Sequence, residues 1–242
     1  MNLMVKSKVE VPELIEKRRG QIVKAAINLF GKRGYHVTTI RDIAGHANVS
    51  IGTIYQYVSD KEDVLFLALI EVLDGYLRCI PAALEGVVDP LARFQVAVHA
   101  YCAVNGERIG ATVLAYRETK SLRKARRSLI MQKELDTNKL IAACIEDCIA
   151  AGLFNAVDVE LFIYQIVMFS HCWALKAWRF HRLMSLDDYV ERGLNLMLNS
   201  VLTPKGEQVF AQMDRMKSGA AKLPLAAADA AQPRRARRRS EI

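Results

Sequence analysis

Residues 38–61, TTIRDIAGHANVSIGTIYQYVSDK, constrain the fold of this chain more than any other stretch. They read as a short helix, a tight turn, a second short helix with an aromatic tail, and a lysine opening a third. Thr39 followed by Asp42 is a capping box for the first. Asn48 falls where the turn needs a left-handed backbone, which asparagine tolerates better than most residues. Ser50 can cap the second helix, and Ser59 with Glu62, or Asp60 with Asp63, the third. Two helices joined by so short a turn form a helix-turn-helix, whose second helix fits the DNA major groove.

The rest of the chain supports an all-α fold. Glycine (13) and proline (6) are scarce among 242 residues, and few segments alternate apolar with polar residues. Ile22, Ala25, Ala26, Leu29 and Phe30 form one stripe of a helix over 13–33. Gly34 is placed to end it, with Tyr35 folding back onto Phe30. A fourth helix carries Leu65, Ala68, Leu69, Val72 and Tyr76, and should stop or kink near Pro81. Asp89-Pro90 opens a helix with Leu91, Phe94, Val98, Tyr101 and Cys102 on its stripe. After a break at Asn105-Gly106 come a short helix over 110–120 and a long one over 122–151 ended by Gly152. Asp158 should cap a helix to about 182. Ser185 and Asp188 box the last helix, which Pro204 stops.

Charge is unevenly placed. Residues 1–62 carry 10 Lys and Arg against 6 Asp and Glu, residues 63–214 carry 16 against 18, and residues 215–242 carry 8 against 2. A basic head on a near-neutral body fits a DNA-binding end joined to a domain with another task. The five cysteines (Cys79, Cys102, Cys144, Cys148, Cys172) are odd in number and lie in apolar helical patterns. They suggest core thiols in a reducing cytoplasm rather than disulfides or metal ligands. The run 161–175 is interrupted by Gln165, Ser170 and His171 and is shorter than the ~20 residues a membrane span needs. MNLMVKSKVEVPEL has no apolar signal core. No catalytic motif, cofactor or metal site is expected.

In the groove, the N-terminal residues of the second helix would reach the bases: Ser50, Ile51, Gly52 and Thr53. Gly52 lets the backbone approach a phosphate, Thr53 can donate, and Ile51 can touch a thymine methyl. Tyr55 and Tyr57 offer hydroxyls to phosphates, Lys61 offers an amine at a helix N-terminus, and Thr39 and Arg41 can reach the backbone or a flanking base. Arg41, Ile51 and Gln56 are the residues on which base choice would rest.

From about Lys17 to Gly75 the chain resembles the TetR family of transcriptional regulators. The resemblance rests on Phe30 with Gly34-Tyr35, Thr38-Thr39, Ile43-Ala44, Ala47, Val49-Ser50, Gly52-Thr53, Tyr55, Tyr57 and Lys61. Asn48 stands where the family usually has glycine, Val58 where it has phenylalanine, and Ile51 where a polar residue is usual. The resemblance implies a homodimer on a palindromic double-stranded operator with half-sites ~34–36 Å apart or a multiple of that. It also implies a C-terminal helical domain that holds a small-molecule inducer and dimerises. The expected layout is an arm (1–12), the helix-turn-helix domain (13–62), the ligand-binding and dimerisation domain (63–204), and a basic, disordered tail (205–242).

Residues with a polar tip on an apolar helix are the expected ligand contacts: Tyr101, Asn105, Thr112, Tyr116, Gln165, Met168, His171 and Trp173, with Arg117 beside them. By family analogy the last helix would dimerise, through Val190, Leu194, Met197, Leu198 and Val201, although the same stripe suits an intrachain core. Arg117, Lys120, Arg123, Lys124, Arg126 and Arg127 cluster at the start of the long helix, and Lys176, Arg179, His181 and Arg182 end the next. YRETKSLRKARR and WALKAWRF are similar to the TetR subgroup that senses fatty acyl-CoA thioesters, whose diphosphate such arginines would grip. Arg234, Arg235, Arg237, Arg238 and Arg239 in the tail offer non-specific phosphate attraction. Two other functions remain open: a protein of the same fold that works through a protein partner without an inducer, and a helical enzyme.

Overall fold

Helix α1 (Pro12–Arg33) begins at a proline, whose fixed φ suits the first helical turn, and buries Ile22, Val23, Ala25, Ala26, Leu29 and Phe30. Gly34, at φ 90°, donates its amide to the Phe30 carbonyl, and the Tyr35 ring meets Phe30 edge-on at 5.2 Å. The computed structural model describes the backbone of residues 5–220 and the side chains of 5–215.

Ten further α-helices follow among the described residues, with a 3-10 turn at Thr119–Ser121: α2 (Ile40–His46), α3 (Ile51–Tyr57), α4 (Lys61–Leu84), α5 (Pro90–Glu107), α6 (Ile109–Glu118), α7 (Lys124–Ala150), α8 (Val159–Leu175), α9 (Ala177–Phe180), α10 (Leu186–Val201) and α11 (Pro204–Ala220). No β-strand occurs among the described residues; one isolated antiparallel bridge joins Phe154 to Leu202. Helices α1–α3 form the N-terminal head. Helix α4 passes from the head into the C-terminal body, packing on α1 at one end and on α5, α6 and α7 beyond it.

Caps explain most boundaries. The expected boxes at Thr39/Asp42 and Ser185/Asp188 are both formed, and Ser50, Asp89 and Asp158 cap α3, α5 and α8. Of the two options for α4, the structure uses Asp60, which accepts from the Asp63 amide at 2.8 Å. Gly152 turns the chain out of α7 at φ 70°.

Helix α4 runs through Pro81 and ends three residues later, at Leu84. Two expectations need correction. The helix expected to reach 182 ends at Leu175, and a separate turn of helix, α9, follows. Pro204 does not begin a tail: it opens α11, as a proline at the first helical position can. Helix α11 is held by Thr203 Oγ1, which accepts the Gly206 amide and donates to the Gly152 carbonyl. Residues 205–220 of the expected tail are thus helical, and the rest of it, with its arginines, lies outside the described residues.

Candidate DNA interface and ligand cavity

The helix-turn-helix is framed as its local sequence dictates. Asn48 sits at φ 53°, and the Val49 amide reaches back to the Ala44 carbonyl at 3.0 Å. Gln21 on α1 braces the turn by donating to the Ala47 carbonyl at 2.7 Å. Ile43, Ala44 and Ile54 are buried. The opposite side of the head exposes Arg41, Ile51, Gly52, Tyr55 and Gln56, so these five remain available to a duplex. Ser50 and Thr53 share a hydroxyl contact of 2.8 Å at the start of α3, and Thr39 donates to Asp42 at 2.6 Å. The hydroxyls of these three first serve to build the motif.

Lys61 and Tyr57 fall elsewhere than expected. The Lys61 amine donates to the carbonyls of Tyr35 (2.8 Å), His36 (3.1 Å) and Thr38 (2.9 Å) and lies 4.6 Å from the Tyr35 ring centre. An ammonium has three N–H groups. All three are spent on the α1–α2 loop, so Lys61 ties that loop to α4. Tyr57 is buried, a core aromatic.

The same end of α4 is gripped from the body. Arg123 pairs with Asp60 and Glu62 at 2.9 Å each; Arg126 pairs with buried Asp63 and lies 3.6 Å from Glu62. Asp63 also accepts the Ser59 amide. Lys133 pairs with Asp74 further along the same two helices. These are the arginines expected to grip a ligand phosphate, and two of them are instead a clasp between α7 and α4.

Between α4, α5, α6, α7 and α8 lies a cavity of about 310 Å3. Leu69, Val72, Leu73, Ile130 and Val167 make its walls apolar. Its polar groups converge on His171. Tyr116 Oη lies 2.8 Å from Nδ1, and the Tyr76 and Tyr101 hydroxyls lie 3.4 and 3.5 Å from Nε2. Burial lowers the His171 pKa to about 4, so the ring is neutral. Behind it, buried Asn105 accepts from Tyr76 and Thr112 and donates to Ser170 at 2.6 Å. Tyr116, Met131 and Met168 line the cavity yet are about half exposed, so they mark its mouth.

Of the expected ligand contacts, Tyr101, Thr112, Tyr116, Met168 and His171 line the cavity. Asn105 supports the lining from behind. Gln165 points outward, Arg117 is exposed, and Trp173 packs among Phe180, His181 and Tyr189. Tyr76, Glu134 and Tyr164 line the cavity and were not anticipated. Tyr76 was visible as a stripe residue of α4. Glu134 gave no signal, being one acid on a long charged helix. It has no ion-pair or side-chain hydrogen-bond partner among the described residues, and burial raises its pKa.

The expected dimer stripe is corrected too. Val190, Leu194, Leu198 and Val201 are buried within the chain, and Met197 is half-buried, so this face of α10 belongs to the core. Apart from Met168 at the cavity mouth, the large apolar residues left exposed on α8 and α10 are Leu161 and Leu196. The thiols of Cys144 and Cys148 contact backbone carbonyls of Leu140 and Pro90, and no metal-binding cluster exists among the described residues. Cys79 is exposed, unlike the other four. No helix of the described residues is long and apolar enough to cross a membrane.

Comparison with known proteins agrees with the head and the body separately. Residues 22–68 match the model for bacterial regulatory proteins of the tetR family, and residues 87–178 match the model for a tetracyclin repressor-like C-terminal domain. The chain belongs to the TetR family. It is 50% identical over 211 residues to the HTH-type transcriptional regulator HbdR of Aromatoleum sp. (strain CIB), covering 87% of this chain and 92% of that one. It is 25% identical over 170 residues to the repressor KstR2 of Mycobacterium tuberculosis, covering 68% and 82%. The crystal structure of a tetR-family regulatory protein from Rhodococcus RHA1 superposes with a TM-score of 0.69 at 25% identity, over 76% of this chain and 97% of the other. This TetR-family member is thus a DNA-binding transcriptional regulator, not an enzyme.

Proposed function

We propose that this TetR-family chain is a cytoplasmic repressor that holds a palindromic operator as a homodimer and lets go when a small molecule occupies the α4–α8 cavity. The observation that carries the reading is that α4 is both a cavity wall and the strut of the head. Leu69, Val72, Leu73 and Tyr76 face the cavity, while Lys61 at the other end holds the α1–α2 loop. Helix α7 supplies the facing wall and the Arg123/Arg126 clasp. A molecule wedged between the two helices acts on both. It shifts the equilibrium only as far as it binds the DNA-incompetent arrangement more tightly.

The lining describes the ligand. No lysine or arginine faces the cavity, and the unpartnered Glu134 opposes a second carboxylate. The buried part of the inducer is therefore not anionic and is largely apolar, with a group that hydrogen-bonds to Tyr116, His171 or Tyr76. A fatty acyl-CoA thioester meets this description if its acyl chain enters and its diphosphate stays outside, near exposed Arg117 beside Tyr116. Dimerisation is assigned to the outer faces of α8 and α10, around Leu161 and Leu196.

Thermal-shift and operator-release measurements with an acyl-CoA, the matching free fatty acid and CoA test the inducer class. The thioester alone should raise Tm and release DNA. Indifference to all three removes the lipid reading and favours control through a protein partner.

A further inference from the structure

The segment before α1 is bound along the end of the recognition helix. The Lys8 amide donates to the Gln56 carbonyl at 2.8 Å, and Ser7 Oγ donates to the same oxygen at 3.1 Å. Arg19 on α1 donates through Nε and Nη2 to the Tyr57 carbonyl at 3.1 and 3.0 Å, and through Nη2 to the Val5 carbonyl at 2.6 Å. Gln56 and Tyr57 are the last residues of α3, whose carbonyls have no partner within the helix. The arm and Arg19 satisfy them in place of water.

This docking fixes where the arm's charges lie. Burial alternates along it: Val5 is buried, Ser7 and Val9 are half-buried, and Lys6 and Lys8 are exposed. Neither lysine amine has a hydrogen bond or ion pair among the described residues. Lys8 is one backbone hydrogen bond from Gln56, which stands on the exposed side of α3 with Tyr55. A helix lying in the major groove has phosphates along both edges, and a duplex presents one negative charge per ~1.7 Å of axis. The match to the family's DNA-binding model starts only at residue 22, so the arm itself lies outside it.

We propose that Val5–Val9 is a second DNA-binding element, in which Lys6 and Lys8 bind phosphates of the strand flanking the groove occupied by α3. It adds affinity without reading sequence, and its position depends on the backbone bonds to Gln56 and Tyr57.

The inference rests on DNA binding by the head, and the experiment separates the two. Full-length wild type and the Lys6→Gln/Lys8→Gln variant are titrated onto two duplexes over a salt series, one from upstream of the chain's own gene and one unrelated. Glutamine keeps the backbone bonds and the Val5 contact, and an unchanged thermal midpoint checks this. The slope of log K against log salt should become shallower by about 3.6 on both duplexes, since each phosphate contact contributes ~0.9 and a homodimer brings two Lys6/Lys8 pairs. Affinity near 0.1 M salt should fall by well over about tenfold, and by the same factor on each. Lys6→Arg/Lys8→Arg should restore the wild-type slope. An unchanged slope in a folded glutamine variant overturns the proposal, and so does a loss confined to the upstream duplex. If wild type fails to prefer the upstream duplex, the operator assignment fails, while the slope on unrelated DNA still decides the arm.

Discussion

In the helix-turn-helix the groups that set the geometry are sequence neighbours: Thr39 with Asp42, Ala44 with Val49, Ser50 with Thr53. In the ligand cavity the partners are distant. Tyr116 and His171 are 55 residues apart, Tyr76 and His171 are 95 apart, and the lining comes from five helices. The head is thus set by caps and one left-handed turn, each worth about 1 kcal/mol and each local. The body is specified by packing that exists only after the helices assemble. The two are joined where Arg123 and Arg126 meet Asp60, Glu62 and Asp63.

The severest challenge to this division is Arg126→Met. The substitution leaves Asp63 buried with its cation removed, and the Phe66 ring loses the guanidinium lying 5.2 Å from its centre. Breaking a buried pair in this way costs about 3 kcal/mol. Urea denaturation should show that loss, and inducer-driven release should weaken with it in whatever fraction stays folded. A variant as stable as wild type would mean that the head and body are not joined through the clasp.

A second, slightly smaller effect belongs to the body alone. His171 is held neutral, its pKa lowered from 6.5 to about 4 by burial, with Tyr76, Tyr101 and Tyr116 facing it from α4, α5 and α6 and Glu134 across the cavity on α7. The unfolded ring takes up a proton near pH 6.5 and the folded ring does not. Stability is therefore complete above pH 6.5 and falls as pH drops from there toward 4, by about 2–3 kcal/mol from this group. His171→Gln should flatten that segment of the stability–pH curve. The capping carboxylates Asp42 and Asp188, whose pKa values are lowered chiefly by hydrogen bonds from Thr39 and Ser185, lose their contribution at lower pH still. An equal slope in the glutamine variant would place the acid sensitivity in the head.

The same contrast explains what the sequence disclosed. Thr39, Asn48, Ser50, Asp89, Gly152 and Ser185 carry their structural role in residue type and spacing, and each does what was expected of it. Lys61 was legible as important but not in its role, because only the folded head brings three carbonyls onto its amine. The α10 stripe was legible as apolar, but periodicity cannot say whether the surface that covers it is in the same chain. The clasp was hidden because a run of arginines looks the same whether its partners are solvent, phosphate or carboxylates some sixty residues earlier.

Gly193→Ala should cost somewhat less. A Cβ at this half-buried position of α10 would collide with the Phe169 ring, itself stacked on Tyr189 at 4.5 Å. Overpacking of this kind costs about 2 kcal/mol. A sequence-level estimate points the other way, since alanine favours an exposed helix over glycine by about 1 kcal/mol. Thermal unfolding decides between the packed and the local account by its sign.

The smallest effect is expected at Asn48, and it tests the head on its own terms. At φ 53° a glycine would sit without strain, but it brings more backbone entropy to the unfolded chain, and the two effects nearly cancel. Asn48→Gly should therefore shift stability by less than about 0.5 kcal/mol and leave operator affinity unchanged. Asn48→Val is the informative partner, because a β-branched side chain at positive φ is strained by about 1–2 kcal/mol. If local geometry sets the head, the valine variant should lose operator affinity as α3 turns on its hinge, while the cavity still takes up its ligand. If instead α1 and Lys61 hold the head by tertiary contacts strong enough to override the turn, both variants should bind DNA alike. Paired gel-shift and ligand thermal-shift measurements on the two variants distinguish these outcomes.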